Sequence, residues 1–281
     1  MIVVTGATGN VGRALVEALA AAGERVTATS RNVAAAAVPE GVLARPANLA
    51  DPESLRPLLD GADALFLHDG GAGAGVLSPR DVLDVAKAGG VGRVVLLSSQ
   101  GVATRPESPS HGIAMRAVED AVQESGLDWT ILRPGGFNTN SYAWIPSVRA
   151  ERTVAAPFGD VSLPTVDPLD IAEVAAVALR EDGHVGRIYT LTGPARTTPR
   201  QRAEAIGEAI GEPIRFVEQT LDEARAQMLQ FMPEPVAETT LAVLGRPTAA
   251  EQQVSPDVER VLGRPAGAFA DWARRNAAAF K

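Results

Sequence analysis

Cysteine is absent from the 281 residues. That excludes disulfides, thiolate zinc sites and cysteine nucleophiles, and it fits a protein kept in the cytoplasm. Histidine is scarce: His68, His111 and His184 are too few for a histidine-rich centre, and no metal is expected. Basic clusters are also missing. Lys and Arg number 26 against 34 Asp and Glu, giving a formal net charge of −8, and the basic residues are scattered. A duplex-binding protein needs a basic stripe to neutralise phosphates, so no direct nucleic-acid partner is expected. No apolar run reaches the roughly 18 residues of a membrane span. Met1 leads straight into Ile2-Val3-Val4 without a basic n-region, so neither a membrane anchor nor a secretory signal is expected.

What is present is enough apolar material, 46% of the chain, to bury a large core in one large or two small domains. The first half alternates short β-rich runs with helical ones. Strands are expected at Met1–Thr5, Arg25–Thr29, Val42–Pro46, Ala62–Leu67, Arg93–Leu97 and Asp128–Leu132. Between them lie helices at Val11–Ala22, after Asp51-Pro52, after Ser78-Pro79, and at Ser110–Ser125, with Gly23 and Gly126 as stops. Such alternation predicts an α/β fold of Rossmann type, a doubly wound parallel sheet with helices on both faces. After Pro134 the pattern loosens. A helix at Leu169–Arg180 and a strand at Arg187–Leu191 return to the sheet, and Thr198 and Thr220 open two further helices with capping-box sequences. The expected division is a nucleotide-binding domain of residues 1–134 with 165–192, and a smaller C-terminal substrate lobe of 135–164 with 193–281.

Thr5-Gly6-Ala7-Thr8-Gly9-Asn10-Val11-Gly12 sits between the first strand and the first helix. A diphosphate must approach backbone N–H groups at that helix N-terminus, and glycine puts no Cβ in the way. The spacing is G-x-x-G-x-x-G rather than G-x-G-x-x-G. At the end of the second strand NAD sites place an acidic residue for the ribose 2′-hydroxyl, whereas this chain has Ser30-Arg31-Asn32. An arginine fork suits a 2′-phosphate, so the expected cofactor is NADP(H).

Three stretches, TGATGNVGRALVEAL (5–19), SGLDWTILRPGGFNTN (125–140) and VDPLDIAEVAAVAL (166–179), together resemble the NmrA-like, atypical short-chain dehydrogenases. The resemblance continues through RPAGAFADWARRNAAAF (264–280). It implies that Gly6, Thr8, Gly9, Asn10, Val11 and Gly12 line the diphosphate and that Arg31 holds the 2′-phosphate. Asn48 and Leu49 would lie beside the adenine, and His68 and Asp69 near the ribose. Ser98 and Ser99 would lie on the nicotinamide side, with Gly135, Gly136 and Phe137 opposite. The group is similar both to NADPH-dependent quinone and dye reductases and to redox-sensing regulators.

The resemblance breaks at the usual catalytic pair. Short-chain dehydrogenases carry Tyr-x-x-x-Lys on the helix after the fifth strand, where the lysine lowers the tyrosine pKa and the tyrosine moves the proton. Here those slots fall on His111 and Met115. Ordinary alcohol–ketone chemistry is therefore not expected. His111 is the candidate acid, weighed against a helix-start histidine bonded to backbone, and Ser98 and Ser99 are candidates weighed against strand-end caps.

An apolar substrate pocket between the lobes is expected, lined by Met115, Asn138, Tyr142, Trp144, Met228 and Phe231, with the glycine-rich run 69–75 as a lid. Three functions remain open: a reductase of electron-poor small molecules such as quinones or conjugated carbonyls, a redox sensor that binds NADP(H) without turnover, and a cofactor-retaining isomerase or epimerase. The oligomeric state is open, a homodimer included.

Overall fold

A computed structural model describes residues 1–33, 38–68 and 78–281. The chain divides into two compact units, residues 1–134 with 168–190, and 135–167 with 191–281.

The first unit is built on strands β1 (Ile2–Thr5), β2 (Val26–Ser30), β3 (Leu43–Pro46), β4 (Ala64–His68), β5 (Arg93–Leu97) and β6 (Asp128–Pro134), which pair in parallel in the order β3-β2-β1-β4-β5-β6. A two-stranded sheet elsewhere takes β7 (Thr153–Ala156), and β8 (Arg187–Leu191) extends the main sheet beyond β6 to seven strands. This is the expected doubly wound α/β fold.

Alternation along the strands decides which helices cover which face. Val3, Leu65, Leu67, Val94, Leu96 and Ile131 share one buried cluster with Leu59, Leu83 and Val122 from the helices on that side. Those helices are α2 (Arg56–Leu59), α3 (Pro79–Ala88) and, after α4 (Gly101–Thr104), α5 (Ala114–Glu124). The opposite face is covered by α1 (Asn10–Ala21), whose Val11, Leu15, Val16 and Leu19 are buried, packed against a later helix, α7 (Pro168–Arg180). No helix among the described residues is long and apolar enough to cross a membrane.

The helix expected from Ser110 is shorter and starts differently. Pro109–Ile113 forms a π turn, in which the Ile113 N–H reaches the Ser108 carbonyl at 2.8 Å, and regular helix begins at Ala114. Ser108 organises this turn, because its hydroxyl also accepts from the His111 N–H at 3.3 Å. Asp51 and Ser78 stand at helix starts, yet neither side chain makes a capping bond, and the segment after Asp51 opens as a 3₁₀ turn over Pro52–Leu55.

The second unit contains α6 (Ile145–Glu151), the parallel pair of β7 with β9 (Arg215–Glu218), α8 (Pro199–Ile210), α9 (Leu221–Met228), α10 (Glu234–Gly245), α11 (Asp257–Leu262), α12 (Phe269–Arg275) and α13 (Ala277–Phe280). Its core is Val148, Val154, Ile206, Phe269, Trp272 and Phe280. Thr198 and Thr220 form complete capping boxes with Gln201 and Glu223, as their sequences predict.

Candidate active site

The sheet order reverses direction between β1 and β4, and in open α/β sheets ligands bind beyond the C-terminal strand ends at such a point. The turn after β1 and His68 at the end of β4 meet there. Gly6 has φ +63°, and a Cβ on it would stand 2.3 Å from His68 Nε2. A Cβ on Gly12 would stand 2.1 Å from the Gly6 carbonyl oxygen. These two glycines are therefore required by the turn and by the seating of α1. Gly9 is different. Its φ of −81° suits any residue, and its Cβ direction meets one atom, the Gly6 oxygen at 3.2 Å. The folded chain alone does not demand glycine at position 9, whereas close approach of a ligand does.

The N-terminus of α1 is prepared for an anion. Gly9 supplies no side-chain cap, no acidic residue stands in the first turn, and Thr8, Gly9 and Asn10 are exposed. Such a helix end carries partial positive charge. At the end of β2, Thr29 Oγ1 and Ser30 Oγ are buried without a hydrogen-bond partner among the described residues, and Arg31 follows on the surface. Unsatisfied hydroxyls beside an arginine fit a phosphorylated ribose. Asn48 is exposed, its Oδ1 accepting from the Ala50 N–H at 3.1 Å, and Leu49 packs partly against the core. Asp69 and the proposed lid at 69–75 lie outside the described residues.

The ends of β5 and β6 hold a buried ionic group. Arg133 grips Glu119 with two bonds, Nε to Oε1 at 2.9 Å and Nη2 to Oε2 at 2.5 Å. The Ser98 hydroxyl donates to Glu119 Oε1 as well. Ser98 has one proton and spends it there, so it can accept but not donate elsewhere. Ser99 Oγ accepts from the Gly101 N–H at 3.1 Å, which leaves its own proton available. His111 Nδ1 is bonded to Ser110 Oγ at 2.8 Å, and its Cβ lies 2.8 Å from where a Cβ on Gly101 would stand. Met115 is 6% exposed and belongs to the hydrophobic core with Val118 and Val122. The face of α5 that carries it is the core-facing one.

In the second unit, Gly135 donates its N–H to Leu191 O at 2.9 Å, and Phe137 pairs with Val166. Tyr142 and Trp144 are partly buried and pack against the second unit's core. The Tyr142 ring lies 5.3 Å from Trp272, its hydroxyl donates to Asn276 Oδ1 at 2.6 Å, and both residues pack against the core. Asn138 is fully buried, and neither its Oδ1 nor its Nδ2 has a partner among the described residues. Met228 is half-buried, and Phe231, 67% exposed, projects from the turn after α9.

A family model described as NAD(P)H-binding matches residues 6–182. The chain belongs to the NAD(P)H-binding family. This NAD(P)H-binding protein is 37% identical, over 100% of its own length and 99% of the relative's, to a (4-alkanoyl-5-oxo-2,5-dihydrofuran-3-yl)methyl phosphate reductase of Streptomyces griseus. It is 33% identical, with the same coverage, to an NAD(P)H azoreductase of Xenophilus azovorans. Among solved structures, the NADPH complex of the quinone oxidoreductase QOR2 from Escherichia coli matches with a TM-score of 0.79 at 25% identity, covering 98% of this chain and 99% of that one. Such full-length reductase relatives make this NAD(P)H-binding protein an oxidoreductase.

Sequence reasoning missed the Glu119–Arg133 pair, although both residues lie in quoted motifs. The signal was available: Glu119 stands one further helical turn beyond the His111 and Met115 slots, on the buried face of α5. It also missed Thr29, and it used Ser30 only as the neighbour of Arg31. If the β2 end holds a 2′-phosphate, Arg31→Ala weakens NADPH by about tenfold or more and leaves NADH nearly unchanged. Fluorescence titration of both cofactors checks this, and equal losses for the two would remove the 2′-phosphate assignment.

Proposed function

We propose that the chain is an NADPH-dependent reductase of electron-poor small molecules whose reduced form carries a delocalised charge, such as quinones, azo compounds and conjugated carbonyls. The observation that carries this reading is the state of the proton donors after β5 and in the π turn before α5. The Ser98 proton is committed to Glu119, the Lys slot is a core methionine, and the remaining candidates are Ser99 and a serine-bonded His111. NADPH, when bound, supplies a hydride to the acceptor. The turn at Gly6–Gly12 and the β2 end would hold its phosphates, and Ser99 can orient an acceptor oxygen by donating its free hydroxyl proton. A strong acid is not needed when the product anion is spread over a conjugated system, because solvent can protonate it afterwards. The reverse reaction on a simple alcohol needs a base to remove the hydroxyl proton as hydride leaves, worth roughly 10²–10⁴-fold. Methionine offers none.

The relatives' names support the same chemistry: a furanone, an azo linkage and a quinone each accept two electrons into an electron-poor π system. The test is NADPH oxidation across quinones, azo dyes and unsaturated lactones, beside simple secondary alcohols with NADP⁺. Reduction of at least one class without alcohol oxidation is expected, and His111→Ala should lower turnover by less than about tenfold. Robust alcohol oxidation would overturn the reading. No reduction of any acceptor, with NADPH binding intact, would turn it to an NADP(H)-sensing regulator.

A further inference from the structure

The strand next to Arg31 carries a second arginine that the scheme above does not use. β3 is the outermost strand on its side of the sheet, and it pairs in parallel with β2 so that Arg45 stands opposite Thr29 and Pro46 opposite Ser30. The two strands are still joined at their C-terminal ends, where the Ala47 N–H donates to Ser30 O at 3.3 Å. Arg31 is the next residue after Ser30. Arg45 therefore lies one strand across from Arg31 and two residues back. Neighbouring strands are ~4.8 Å apart and rise ~3.3 Å per residue, so the two backbones are separated by about 8 Å at these positions. Two side chains as long as arginine can meet over one small anion from that distance. Opposite residues of a parallel pair share a face of the sheet, so Arg45 also lies beside Thr29, whose Oγ1 is buried without a partner among the described residues.

Both arginines are exposed, so an anion reaches them without any change in the core. Neither forms an ion pair with the described residues. Arg45 donates from Nη1 to Ala44 O at 3.0 Å, which leaves Nε and Nη2 for a ligand. Arg56, Arg80, Arg225 and Arg260, by contrast, each hold a carboxylate. The sequence gives the reason for the difference. Between Thr29 and Asn48 the one acidic residue is Glu40, and it precedes β3, at the opposite end of the strand. The chain thus sets two cations side by side, without a carboxylate, at the sheet end where the adenosine half of a dinucleotide is read. Like charges so placed repel each other, and an anion between them turns the repulsion into two attractions. The size of the anion's charge matters as well. A phosphomonoester carries nearly two negative charges and three terminal oxygens. One guanidinium fork takes two oxygens and balances one charge, so a second cation is matched to what the first leaves over.

We infer that Arg45 is a specificity-determining residue for the cofactor, sharing the 2′-phosphate of NADPH with Arg31. The inference rests on the β2 end being the 2′-phosphate position, and it adds a ligand from a different strand.

The test reads binding rather than turnover. Adenosine 2′,5′-bisphosphate and 5′-AMP, which differ by the 2′-phosphate alone, are titrated calorimetrically into the wild type, Arg45→Ala, Arg45→Glu and Arg31→Ala. Arg45 is an exposed edge residue, so its variants should fold, and thermal melts check that. Arg45→Ala should weaken the bisphosphate by about tenfold and Arg45→Glu by about a hundredfold or more, with 5′-AMP held within about twofold. The bisphosphate's loss of affinity with added salt should also be shallower in Arg45→Ala than in the wild type. Equal weakening of both ligands would place Arg45 on the adenosine rather than the phosphate and overturn the proposal. Weakening in Arg31→Ala alone would overturn it too, while leaving the β2 reading intact. Weakening in Arg45→Ala alone would keep Arg45 as the phosphate ligand and remove Arg31. No weakening in either variant would overturn both readings.

Discussion

Glu119→Gln is expected to destabilise the protein by about 3–5 kcal/mol, the cost of stripping a buried ion pair of one partner. The Glu119 side chain is 2% exposed and that of Arg133 16%, so the stranded guanidinium gains little from water. Ser98 loses its charged acceptor in the same substitution. For a domain of this size the melting temperature should fall by roughly 10 °C. Removing both charges should be milder than removing one, because no buried charge is left unpaired. Glu119→Leu with Arg133→Met should thus recover much of the loss. Thermal melts of the two single variants and the double variant decide this. A Glu119→Gln protein melting within about 2 °C of wild type would show that the pair contributes little.

Gly9→Val is expected to abolish cofactor binding in a protein that still folds, and Gly12→Val is expected not to fold. The contrast follows from what each added Cβ meets. At position 12 it lands on the backbone of Gly6, 2.1 Å from the carbonyl oxygen, and neither α1 nor the turn can move without breaking the core beneath Val11 and Leu15. At position 9 the backbone is extended, and the one close atom, at 3.2 Å, asks for a shift of a few tenths of an ångström. The valine methyls would then occupy the space where a diphosphate meets the helix N-terminus. Affinity for NADPH should fall by about a hundredfold or more, the scale of losing several charge-assisted bonds. Circular dichroism and cofactor titration separate the cases. A folded Gly9→Val protein that binds NADPH as the wild type does would move the phosphate site elsewhere.

Most of the sheet was legible because its evidence is local. Runs such as Ile2-Val3-Val4 and Val94-Val95-Leu96-Leu97, punctuated by glycine, announce buried parallel strands residue by residue. The capping boxes at Thr198 and Thr220 were legible for the same reason, since both partners lie three residues apart. Asp51 and Ser78 carried the right residue type at the right place and still made no cap; the hydroxyl of Ser54 closes the turn after Asp51 by donating to the Asp51 main-chain oxygen at 2.6 Å. What stayed hidden depends on distant neighbours. Met115 and Tyr142 could be read as lining or as packing, and only tertiary contacts place Met115 in one core and Tyr142 against the other. Glu119 meets Arg133 and Ser98 across the ends of two strands.

The π turn at Pro109–Ile113 holds one more residue than a regular helical turn needs. Its meaning is easiest to see as a question of chain length. Each residue advances a helix by about 100°, so losing one from the middle of α5 would swing Val118 and Val122 out of the core. Losing one from the π turn would tighten it into ordinary helix, and everything after Ala114 would keep its bearing. This is the place where the chain can absorb a one-residue deletion. The side chain that would change direction there is His111, so related sequences one residue shorter at this point would present a different group beside Gly101.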